Sequence, residues 1–157
     1  MERTPEDVVR TLVRGVSRLR GPGLDPDERE RVLDELAGLY AEQTDVRHPF
    51  APLGDQPLRS RAELRAHFAA RGEPPAGLER WEAVDVVVHR TADPEVVVQE
   101  FRYAGRVHGQ EFAVPLIFVT RVRDGLIVES RDYADHVGLA RAFGHLPELA
   151  SALAAQS

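Results

Sequence analysis

The chain contains no cysteine, no lysine and no asparagine in 157 residues. Without cysteine neither a disulfide framework nor a thiolate metal site can form, and a cytoplasmic setting is the expectation. Without lysine, Schiff-base chemistry and a phosphate-loop lysine are excluded, since all 20 basic residues are arginine. The formal charge of −6 leaves no basic stripe of the kind a nucleic-acid backbone requires, so no nucleic-acid partner is expected. No apolar run approaches a membrane-spanning length, and the amino terminus MERTPEDVVR lacks a basic region followed by an apolar one. No membrane partner and no export signal are expected. A Gly-x-Ser-x-Gly elbow, a phosphate loop and a dinucleotide glycine pattern are also missing, and the economical expectation is chemistry without a cofactor.

What is present centres on Gln110 to His136, which reads as two long strands folded back on Asp124-Gly125. Glycine takes the positive φ that a short hairpin turn demands. Beyond the turn the alternation puts Val128, Ser130, Asp132, Ala134 and His136 on one face and Glu129, Arg131, Tyr133 and Asp135 on the other. Before the turn, Arg121 and Arg123 belong on the wet face, which sends Leu116, Phe118, Thr120 and Val122 toward the dry one. Asp132 is therefore expected to point inward among hydrophobes, where an unpaired charge is costly.

The rest of the chain is expected to form a single domain over residues 1–157, long enough to bury an ordinary core. Thr4-Pro5-Glu6-Asp7 opens a helix with the apolar stripe Val8, Val9, Leu12, Val13, Val16 and Leu19. Asp25-Pro26 opens a second helix, carrying Val32, Leu33, Leu36, Leu39 and Tyr40 inward, and Thr44 to Pro49 reads as short and extended. Residues 51–57 read as a loop, and Ser60 to Glu63 fits a capping box for a third helix. Period-two patterning follows from Trp81, with strands over Glu82–Arg90 and Glu95–Val107, and two short helices are expected to close the chain. Helices first and a meander of strands afterwards predict an α+β domain, with helices packed on one face of a curved antiparallel sheet.

The segment Arg121 to Asp135, RVRDGLIVESRDYAD, is similar to the Asp-Gly-Lys-Ile…Arg-Asp-Tyr-x-Asp ending of the nuclear transport factor 2-like superfamily, and closest to its SnoaL-like branch. HPFAPLG at 48–54 and LRSRAELRAHF at 58–68 resemble that branch's short strand, loop and helix. The resemblance spans nearly the whole chain. It implies a cone-shaped α+β barrel whose mixed, mostly antiparallel sheet curves around helices on its concave face. It also implies the company of polyketide cyclases, ketosteroid isomerases and limonene-epoxide hydrolases, a fold that hosts many chemistries and also proteins with none. The positions that do the work in the ketosteroid isomerases read here as Leu12, His48 and Phe118, so that mechanism is absent. Of the epoxide-hydrolase set, Asp132 survives, while the other two positions read Phe101 and Tyr103.

The candidate catalytic residues are Asp132, as a general acid or base in an apolar pocket, and His48, held in place by Pro49, as its partner across the cavity. The candidate pocket lining is Tyr103, Phe101, Leu116, Phe118, Val128, Ser130, Trp81 and Leu12, with His136 at the rim. His67, between Leu64 and Phe68, reads as packing. Asp132 and His136, four apart on one strand, would lie roughly 13 Å apart, too far to share a metal ion, and no metal site is expected. Two functions remain open at this point. One is a cofactor-independent isomerase, cyclase or hydrolase acting on a hydrophobic polyketide- or terpenoid-like small molecule; the other is a non-catalytic binding or dimerisation module. In both, the wet sheet face bearing Arg121, Arg123, Glu129, Arg131 and Tyr133 is a candidate homodimer surface.

Overall fold

In the computed structural model, which describes residues 3–156, three helices precede most of the strands. Helix α1 spans Pro5–Arg20, α2 Pro26–Ala37 and α3 Arg61–Arg71, while α4 (His136–Ala142) and α5 (Leu146–Ala154) close the chain. The strands are β1 Tyr40–Arg47, β2 Leu58–Ser60, β3 Leu78–Arg90, β4 Val96–Val107, β5 Gln110–Arg123 and β6 Leu126–Ala134. They form one mixed sheet in the order β2-β1-β6-β5-β4-β3, in which β1 alone runs parallel to its neighbour β6. The sheet is α+β in class, curved and not closed on itself.

The helix starts follow their sequence signals. Thr4 accepts a hydrogen bond from the Asp7 amide at 3.2 Å, Asp25 from Glu28 at 2.8 Å and Ser60 from Glu63 at 3.1 Å, each satisfying an amide that the first turn leaves free. Strand β1 begins four residues earlier than its sequence suggests. Tyr40 belongs to that strand rather than to α2, because Gly38 ends the helix after Ala37. The loop over residues 51–57 leads into the short strand β2, which pairs with β1.

One register feature revises the face assignment. In the β5–β6 hairpin Arg121 pairs with Glu129 but Val122 pairs with Ile127, so Val128 is the extra residue of a bulge. A bulge shifts the alternation by one. Ile127, fully buried, therefore faces the core opposite Val122, and the inward place expected for Val128 is lost. Past the bulge the expected parity resumes: Thr120 and Ser130 are buried opposite one another, and Asp132 stands opposite Phe118.

The buried residues form two clusters rather than one. The first joins α1, α2 and α3 to β1 and β6 through Leu12, Leu19, Leu33, Leu36, Tyr40, Leu64 and Ile127. The second joins the middle of α1 to the long strands through Val13, Trp81, Phe101, Tyr103 and Leu116. Within the second cluster's sheet Gly105 lies opposite Trp81. A Cβ there would stand 2.0 Å from the Arg80 carbonyl oxygen, a backbone atom that cannot move aside. Gly105→Ala should therefore destabilise the fold by at least ~1–3 kcal/mol, the usual range for overpacking, as a lowered urea midpoint with an unchanged m-value would show.

Candidate active site

The parallel β1–β6 ladder builds the centre of the site. Val46 stands opposite Ser130 and Arg47 opposite Arg131, so the next residues along the two chains, His48 and Asp132, come side by side. His48 Nε2 lies 3.8 Å from Asp132 Oδ2. The turn after β1 is fixed from below, since the His48 amide donates to Asp55 Oδ1 at 2.8 Å and its carbonyl accepts from Ala51 at 3.0 Å.

Burial disfavours the charged form of both groups. The Asp132 side chain is 13% exposed, and burial pushes its carboxyl up to about 7, opposed only by the Ser130 hydroxyl. That hydroxyl donates to Asp132 Oδ1 at 2.5 Å and lies 3.1 Å from the Thr120 hydroxyl, making a buried chain of three polar groups. Burial first, then the charges of His136 and Arg71, moves His48 below the ordinary histidine range, while Asp55 pulls the other way. The separation exceeds hydrogen-bond length, and the opposite displacements favour a neutral acid beside a neutral base at pH values below about 7. Ser130→Ala removes the one contact that favours the carboxylate. The Asp132 midpoint, followed by carboxyl ¹³C NMR, should then rise above its wild-type value near 7.

The pair opens onto a cavity of about 140 Å³ lying between the two core clusters. Leu12, Trp81, Tyr103, Leu116 and Phe118 line it with Asp132 and His48, as do Tyr40, Val46 and Leu139. Trp81 packs against Tyr103 at 4.7 Å between ring centroids and stacks on Phe143 at 5.8 Å. Four residues that the sequence places in the lining lie elsewhere. Phe101 sits one layer back, edge-on to Tyr103 and Phe118, each at 5.1 Å. Ser130 is behind Asp132, and Val128 is displaced by the bulge. His136 is not on the strand, which ends at Ala134; it is the first residue of α4, capped by Asp135. Its Nε2 is buried without a partner among the described residues, and its charge reaches His48.

Three polar side chains enter the cavity without having been picked out from the sequence. The His67 ring stacks on that of His48 with centroids 5.6 Å apart and planes at 28°, and burial pushes it down to about 4. Arg20 and Arg71 also line the cavity. The signal for them is helical spacing: Leu64, His67, Phe68 and Arg71 share one face of α3, and Leu12, Val16, Leu19 and Arg20 one face of α1. Among the described residues no three His, Asp or Glu side chains gather as a metal site would need, and no helix is long and apolar enough to cross a membrane.

An open, cone-like α+β sheet around helices, with a small apolar cavity and an acid–imidazole pair inside it, defines a class of small-molecule pocket proteins. The chain belongs to the SnoaL-like domain family, whose model matches residues 28–130. The match takes in His48, His67 and Arg71 and stops two residues before Asp132. No protein of curated function matches the chain in sequence. Among solved structures it is similar to a Bacillus subtilis protein provisionally named an isomerase, at 21% identity and a TM-score of 0.70 over 90% of this chain and 93% of that one. It is also similar to a Pseudomonas putida protein provisionally named a polyketide cyclase, at 14% identity and a TM-score of 0.64 over 90% and 98%. A third is a phenazine biosynthesis-related protein of Pseudomonas aeruginosa, at 16% identity and a TM-score of 0.59 over 89% of each chain. These identities establish a shared fold, of the nuclear transport factor 2-like type.

Proposed function

We propose that the protein is a cofactor-independent acid–base enzyme that isomerises or cyclises a small, mostly apolar carbonyl compound. The observation that carries this reading is the His48–Asp132 pair, 3.8 Å apart on the cavity wall with their proton affinities pushed in opposite directions. Where environments separate two such groups, the lower one is the base and the higher one the acid. Just below neutral pH the His48 imidazole is free to take a proton, and the Asp132 carboxyl still holds one. The base removes a proton from carbon next to a carbonyl, the electron pair shifts into the carbonyl, and its oxygen takes the proton of Asp132. The resulting enol can be reprotonated at another carbon or attack an electrophile within the same molecule. Apolar walls favour this exchange, because water is kept from a neutral pair that it would otherwise charge.

Exchange of the α-protons of phenylacetone in D₂O, followed by ¹H NMR, tests the reading without knowledge of the natural substrate. The protein should accelerate exchange over buffer, and Asp132→Asn should remove the acceleration. An Asp132→Asn protein as active as the wild type would end the proposal. The cavity volume of about 140 Å³ lies below the usual range for ligand pockets, roughly 300 Å³ and above. That observation favours a second reading, a non-catalytic module, and it restricts any substrate to about one ring rather than a polycyclic skeleton. For self-association, the outer sheet face exposes Ile117 and Val87 among its charges, which supports a homodimer through that face.

A further inference from the structure

The apolar cavity holds two cations with no anion to meet them. Arg20 and Arg71 are the last residues of α1 and α3, and both line the cavity. The helix ends meet closely because Gly72 has no side chain: a Cβ there would stand 2.5 Å from Leu19 Cδ2. Many of the chain's eighteen other arginines find carboxylates at the surface, as Arg121 and Arg123 show with Glu95 at 2.9 Å. Neither Arg20 nor Arg71 has an Asp or Glu partner among the described residues. Arg20 Nε is buried with no hydrogen-bond acceptor, its guanidinium lying 4.5 Å above the Trp81 ring. The helix C-termini tolerate these charges, and the indole face holds one of them, but neither supplies the acceptor that a buried N–H requires.

Tyr103 feels the charges of both Arg20 and Asp132. Arg71 reaches His48 and His67, and repels Arg20. Both guanidiniums, the Asp132 carboxyl, Tyr103, Trp81 and Leu116 line this one cavity.

We propose that the ligand of this cavity is a carboxylate-bearing molecule with a body of about one ring, its carboxylate received by Arg20 and Arg71 and its ring lying along Trp81 and Leu116. The inference rests on the reading of the cavity as a substrate site and adds the substrate's class to it. A planar guanidinium fork suits a carboxylate, and two forks in the cavity that His48 and Asp132 also line would hold the body of the ligand beside that pair. A cavity of this size elsewhere accepts one aromatic ring, so the probe is phenylacetate, with phenylacetamide as its uncharged counterpart.

Both probes are titrated by ¹H–¹⁵N NMR, reading the Arg20 Nε–H signal and the pocket amides. Phenylacetate should shift the Arg20 signal and bind about tenfold or more tightly than phenylacetamide, as a charge-assisted bond implies. Arg71→Gln, at an exposed position, should erase most of that preference while leaving phenylacetamide binding unchanged. Arg20→Gln should do the same, and Arg20→Lys should retain part of it, which separates lost charge from lost packing. Equal binding of the two probes, or a preference untouched by Arg71→Gln, would overturn the carboxylate inference while leaving the pocket. Absence of binding by either probe at about 10 mM would remove the substrate-site reading itself, and this inference with it.

Discussion

Asp132→Asn should slow proton exchange by roughly 10²- to 10⁴-fold, the usual worth of a positioned acid or base. The amide keeps the size of the carboxyl and its place beside Ser130, but it has no proton to give. The pH profile makes the expectation more specific. In the wild type, activity requires His48 neutral and Asp132 protonated. His48 lies below 6.5 and Asp132 near 7, so the rate should climb as pH rises through the first and fall as it passes the second. The result is a narrow bell centred slightly below neutral, whose limits belong to the interacting pair. Residual activity in Asp132→Asn should lose the alkaline fall and keep the acid rise; His48→Gln should show the reverse. A bell that survives unaltered in either variant would mean that other groups carry the proton.

How much of this was readable in the chain differs from element to element. The helix caps were, because Thr4, Asp25 and Ser60 each precede an apolar stripe and act locally. The inward direction of Asp132 was too, since a strand fixes parity over adjacent residues and Phe118 across the ladder is apolar. The Val128 bulge was not, because the hairpin sequence alternates acceptably in either register and only Ile127 meeting the core decides between them. The approach of His48 to Asp132 depends on a parallel pairing between segments more than eighty residues apart, for which no local pattern speaks. From sequence His67 reads as packing on α3, yet its spacing with Arg71 marks a polar end to an otherwise apolar face. That spacing becomes informative only when the helix is seen to end at a cavity.

The second large effect concerns stability rather than rate, and it follows from two buried groups displaced in opposite senses. Asp132 holds its proton to about 7 when folded, against 3.8 ordinarily. The folded state then binds more protons than the unfolded one between those values, so stability is greatest below about pH 4 and is lost as pH rises toward 7. That loss is ~4 kcal/mol. His67 drops from 6.5 to about 4, so the unfolded state binds the extra proton and stability grows as pH rises from about 4 to 6.5, by ~3 kcal/mol. In the wild type the two slopes largely cancel over that window, and His48 adds to the rising one. Exposed carboxylates such as Glu95, drawn down to about 2 by Arg123 and Arg121, titrate at lower pH and are common to all variants. Urea unfolding at several pH values between about 4.5 and 7.5 should therefore give a nearly flat wild-type profile, an Asp132→Asn profile that rises with pH, and a His67→Gln profile that falls. Variant profiles parallel to the wild type would show that neither group is displaced by burial, and the neutral acid–base pair on which the proposed chemistry depends would have no basis.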